Sequence, residues 1–97
     1  MKPLDLILIL NLYFQLVPQT MVAETPEVQE LSRLIGIKTS RVVEVLLIFQ
    51  QCDPYLKRND ISFAPLFLPC QQVWQRFNGD AGMTEKAANE LVAYYKS

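Results

Sequence analysis

The 97-residue chain contains no histidine. That removes the commonest general base, the commonest zinc ligand and every Cys-His or Ser-His pairing. It has only two cysteines, Cys52 and Cys70, eighteen positions apart. Cysteine often serves as a small core residue, so both are expected as free, partly buried thiols rather than as a disulfide. A basic excess is missing as well: nine Lys and Arg against ten Asp and Glu leave a net charge of −1. Phosphate neutralisation supplies most non-specific affinity for DNA. The balance therefore argues against strong stand-alone DNA binding and leaves room for a local patch only. Asp53, Asp60 and Asp80 are scattered, with no pair spaced to hold a metal or share a proton. No set of acid, base and nucleophile is visible, so no catalytic centre, metal or cofactor is expected.

A long apolar run is also lacking. Leu6 to Leu10 is too short to cross a bilayer. With Lys2 before it and Ala23 after it, the start of the chain has the ingredients of a signal peptide. Against that, Asp5 sits where a positive region should meet the apolar run, Asn11 and Gln15 break its continuation, and Met21 is poorly placed ahead of a cleavage site. A buried helix over residues 3–16 is the better reading, and Pro3 suits its first turn. Leu4, Ile7, Leu8, Asn11, Leu12 and Gln15 define one ridge, while Leu6, Ile9, Leu10, Tyr13 and Phe14 fill most of the rest. A helix apolar nearly all round belongs at the centre of a domain. The expected protein is cytoplasmic, with no membrane partner.

The residues that are present point to a packed domain. Half of them, 51%, are hydrophobic, enough for a core without staples, and the length suits one domain. The expected fold is all-α, a compact bundle of about five helices in a single domain over residues 1–97. After the first helix, Pro18 blocks continuation. Thr25 and Pro26 open a second helix over 26–35, with Glu27 and Glu30 complementing its dipole and Val28, Leu31, Leu34 and Ile35 at helical spacing. Gly36 ends it. A third helix over 39–51 is capped by Thr39 or Ser40, carries Val42, Val45, Leu46 and Phe49 inward, and stops before Asp53-Pro54. Residues 53–68 read as irregular, with Ile61-Ser62-Phe63 as a possible extended piece. A fourth helix over 69–77 opens on Pro69, aligns Cys70, Val73, Trp74 and Phe77, and closes at Asn78-Gly79. A fifth over 84–95 is capped by Thr84, with Ala87, Leu91, Tyr94 and Tyr95 inside.

One pattern has functional content. The second helix, Gly36 and the third helix match a helix-turn-helix, in which two helices cross steeply over a short turn. That crossing needs a small residue in the first helix, here Ser32, a glycine in the turn, and branched apolar flanks, here Ile35, Ile37, Val42 and Val45. Any tight corner between helices needs similar residues. In a DNA-binding reading the start of the third helix enters the major groove of double-stranded DNA. Thr39, Ser40 and Glu44 then face base edges, and Arg33, Lys38 and Arg41 approach phosphates. Val43 and Leu47, one turn apart, would place apolar surface in that groove, which favours a second reading: a protein-protein interaction module or dimer, contacting itself or another protein through Val43 and Leu47. Tyr55, Lys57 and Arg58 are weaker candidates for backbone contact and read first as a solvated loop. Trp74 reads as core before interface.

The order of these pieces resembles a known family. Leu12-Tyr13-Phe14 is succeeded by Thr25-Pro26-Glu27-Val28, Glu30-Leu31, Leu34-Ile35-Gly36, Ser40-Arg41-Val42, Phe49, Asp53-Pro54 and Val73-Trp74-Gln75-Arg76-Phe77. Over roughly residues 4–80 this resembles the helical N-terminal segment of proteins that carry a C-terminal HNH endonuclease domain. The resemblance implies a DNA-binding or DNA-positioning role. Two departures are plain. The family's turn has an arginine after the glycine where this chain has Ile37, with Lys38 and Arg41 partly replacing the charge. The nuclease domain is absent from this sequence, and without histidine no HNH centre can form, so cleavage is not carried over.

Overall fold

A helix that is apolar nearly all round must be covered nearly all round, and the first helix is buried from Asp5 to Leu10 and at Leu12 and Tyr13. The computed structural model describes residues 2–53 and 67–96. Helix α1 (Pro3–Gln15) packs against each of the other four helices. These are α2 (Pro26–Ile35), α3 (Thr39–Cys52), α4 (Phe67–Phe77) and α5 (Ala81–Lys96). A single 3₁₀ turn, Pro18–Thr20, comes after α1. No strand occurs among the described residues, and the fold is a small all-α bundle of five helices. A radius of gyration of 12.3 Å is that of a folded chain of this length. No helix among the described residues is long and apolar enough to cross a membrane.

The core lies between α1, α3 and α4. Leu6, Ile7, Ile9, Leu10 and Tyr13 of α1 meet Val42, Val45, Leu46, Ile48 and Phe49 of α3, with Cys70, Val73 and Phe77 from α4. Aromatic rings close its end. Tyr13 meets Phe14, Phe49 and Trp74 with centroids 5.6 to 6.1 Å apart, all edge-on. Trp74 is thus a half-buried core residue, in line with its spacing. Two tyrosine hydroxyls act as ties. Tyr13 Oη donates to Asp53 at 2.7 Å, linking the end of α1 to the residue that caps α3. Tyr95 Oη donates to the buried Asp5 at 2.7 Å, fastening the end of α5 to the start of α1. The Tyr13 hydroxyl is pushed up from its ordinary value, by desolvation first and by the bond to Asp53 second. Among the described residues one buried polar group is incompletely satisfied: Gln50 donates to the Met21 sulfur at 3.1 Å, while its Oε1 has no partner.

Helix ends explain where the expected boundaries hold and where they move. α2 runs over 26–35 as expected, because Pro26 opens it and Gly36, at φ 68°, closes it. Thr25 occupies the cap position, but its hydroxyl donates to the Thr20 carbonyl at 2.6 Å instead of capping α2. α3 starts at Thr39 with Lys38 in the cap position, so Thr39 and Ser40 belong to its first turn and neither is the cap. α4 begins at Phe67, two residues before Pro69, which proline tolerates within a first turn. α5 begins at Ala81 rather than Thr84 because Asp80 starts it: the Asp80 carboxylate accepts the Met83 N–H at 3.0 Å. Thr84 is buried, with its hydroxyl donating back to the Asp80 carbonyl at 2.8 Å. Ala87 and Leu91 pack on the core as expected, beside the fully buried Thr84 and Ala88, while Tyr94 is turned outward at 72% exposure. The proposed extended piece at 61–63 and the candidates Tyr55, Lys57, Arg58 and Asp60 lie outside the described residues.

Candidate nucleic-acid interface

The corner between α2 and α3 is built by Ser32 and Gly36. With Gly36 in the left-handed region, the Ile37 N–H returns to the Ser32 carbonyl at 3.1 Å. The Ser32 hydroxyl donates to the Ile37 carbonyl, so the small residue that the crossing needs also ties the turn shut. A Cβ on Gly36 would meet no atom within 4 Å. Only the backbone conformation asks for glycine there.

Beyond this corner, exposure changes abruptly. Lys38, Ser40 and Arg41 are exposed and Thr39 is half-buried. From Val42 to Asp53 every residue is half-buried or buried. The open part of α3 is therefore its first turn. That turn has no acidic residue and no side-chain cap, so its backbone N–H groups and positive dipole end are unopposed by its own side chains. Lys38 and Arg41 flank it. One turn on, Arg41 Nη1 donates to Glu44 Oε2 at 3.2 Å, with side chains 54% and 35% exposed. Such a surface pair is worth a few tenths of a kcal/mol, about what thermal motion overcomes, so Arg41 is not locked to it.

The remaining candidates separate. Val43 is half-buried and packs against the core cluster, while Leu47 is half-buried outside that cluster. Arg33 is exposed and borders a different feature, an open cleft of about 590 Å³ between α1, α2 and α5. The sequence offered no sign of this cleft, because it depends on α2 and α5 both lying on α1 without closing over it. Leu8 and Leu12 form its floor, and Leu31, Leu34 and Val92 its apolar walls.

No group of three His, Cys, Asp or Glu among the described residues lies together as metal ligands would. Cys52 and Cys70 are free thiols, half-buried and buried. Burial pushes the Cys52 thiol up to about 11, and burial first and the neighbouring Cys52 and Glu44 next push Cys70 up to about 12. Both are the opposite of an activated nucleophile, which needs a depressed pKa. Comparison with protein-family models, with curated proteins and with solved structures found no match to this chain.

Proposed function

We propose that the chain is a non-catalytic helix-turn-helix module that meets double-stranded DNA end-on, through the first turn of α3. The observation that carries this reading is the contrast within α3: an open, uncapped first turn flanked by Lys38 and Arg41, leading into a packed body. Helix starts of this kind suit phosphate oxygens, because the exposed N–H groups and the dipole both favour negative charge. In this arrangement Lys38 and Arg41 neutralise phosphates, and Thr39, Ser40 and Glu44 are the side chains nearest base edges, Glu44 as an acceptor for a cytosine amino group. The resemblance of residues 4–80 to the helical N-terminal segment of HNH endonuclease proteins supports the same assignment. Arg33 is left out of the set, because it borders the cleft rather than the first turn of α3.

Two phosphate contacts make a weak binder with a modest salt dependence, in keeping with the net charge of −1. Binding of the protein to a labelled random duplex, titrated with salt, is expected to weaken with a log–log slope of about −2, near −0.9 for each phosphate. No salt-sensitive binding at low ionic strength would overturn the reading.

A further inference from the structure

The cleft between α1, α2 and α5 has no part in the DNA reading, and its composition asks for an occupant. Its floor is the α1 ridge of Leu8 and Leu12, flanked by the polar Asn11 and Gln15. Leu8 is buried yet lies outside the contiguous core cluster, and Leu34 and Val92 lie outside it too. These three form an apolar strip with solvent on its open side rather than an extension of the core. The rim carries both signs of charge: Glu27, Glu30 and Arg33 on α2, and Lys96 on α5. Among the described residues none of these four has an ion-pair partner. Glu30 and Arg33 are three apart on one helix, a spacing at which Arg41 and Glu44 do pair on α3. An apolar strip bordered by unpaired charges of both signs fits a visitor with the same pattern reversed in direction.

The second half of that pattern is α2 itself. It packs Val28, Leu31 and Ile35 on the core, leaves Leu34 outside that cluster, and carries two acids in its first half and a cation in its last turn. Turned end for end across a two-fold axis, one α2 laid beside another places Glu30 of each copy opposite Arg33 of the other. The acidic start of each visiting helix then enters a cleft whose rim holds Arg33 and Lys96, and Leu31 and Leu34 meet across the centre. A closed two-fold interface requires this self-complementarity, since the same patch must serve as both partners. A small ligand or an unrelated helix has no reason to match both charges at that spacing. We infer that the α1–α2–α5 cleft is a homodimer interface, formed by antiparallel pairing of α2 with α2 of a second copy.

Sedimentation equilibrium over a wide concentration range, in the absence of DNA, tests this. The expected result is a reversible monomer–dimer equilibrium. Leu34→Glu puts an unpaired charge in the apolar centre and is expected to weaken the dimer by about tenfold or more. Leu34 is only half-buried in the monomer, and the charge variants below do not depend on its tolerance. Glu30→Arg and Arg33→Glu are each expected to weaken association roughly two- to fivefold, as rim charges do. Combined in one chain they restore opposite signs and are expected to return the dimer to near its original strength. A chain that stays monomeric at every concentration, a dimer indifferent to Leu34→Glu, or single charge variants that the double variant does not rescue would each overturn the inference. In the first case the cleft belongs to another occupant.

Discussion

The two ends of α3 are one continuous helix with opposite surroundings. From Val42 onward it is an interior element: Val42, Val45, Leu46, Ile48 and Phe49 are at 0% exposure, and no residue of the helix past Arg41 is more than half open. Before Val42 it is a surface element with two cations and no cap. The difference shows how a short chain can leave a helix start open without weakening its core. The packed body holds the helix axis rigid, and the Ser32–Gly36 corner fixes where that axis begins. The side chains of the first turn are then free to meet a ligand, because stability does not depend on them.

Three substitutions and one control break or sharpen this contrast. The largest effect is expected at Phe49, which is fully buried and meets the rings of Tyr13 and Trp74. Phe49→Ala leaves a cavity and is expected to cost about 3 to 5 kcal/mol, seen as a fall in Tm of about 15 °C or more by thermal unfolding. Ser40→Ala, one of the exposed residues of the same helix, is the matched control and is expected to change stability by less than about 0.5 kcal/mol. An equal loss at the two positions would abolish the contrast. An intermediate effect is expected at the corner. Gly36→Ala meets no atom but must hold a left-handed backbone at φ 68°, so a loss of about 1 kcal/mol is expected in urea unfolding. The smallest effect falls on binding rather than stability. Glu44→Gln removes the carboxylate that Arg41 contacts and one negative charge near the DNA. Affinity for random duplex is expected to rise by roughly two- to threefold at low salt, with folding unchanged. A decrease would show that the cytosine contact proposed for Glu44 outweighs its repulsion of the phosphates even on random sequence.

Much of the fold was legible because its punctuation is local. Pro26 and Gly36 bracket α2 to the residue, and the apolar spacing of Val42, Val45, Leu46 and Phe49 picks out the buried side of α3. The all-round apolarity of residues 3–16 implied a central helix, and α1 touches every other helix. The misses also have local causes. Two nearby residues can both look like caps, and at α5 the carboxylate of Asp80 takes the Met83 N–H where Thr84 was the expected start. Thr84 and Ala88 join the expected Ala87 and Leu91 on the inward side, and Tyr94 of the expected set points outward. At α3 the cap position fell on Lys38, which carries no acceptor, and this left the helix start open. Spacing alone cannot show how far a helix is covered. Val43 and Leu47 read as an exposed apolar pair, whereas both are half-buried and Val43 packs on the core. The cleft was illegible for a related reason: its floor is visible as a ridge on α1, but its opening depends on how two helices distant in sequence lie across that ridge.

The most direct test of the open helix start is the salt dependence of duplex binding by the Lys38→Ala, Arg41→Ala double variant, beside the unaltered protein. Each phosphate contact removed should lower the slope by about 1, so the double variant is expected to lose nearly all salt dependence while unfolding at the same temperature. An unchanged slope in a folded double variant would place the DNA contact elsewhere and contradict the assignment to the start of α3.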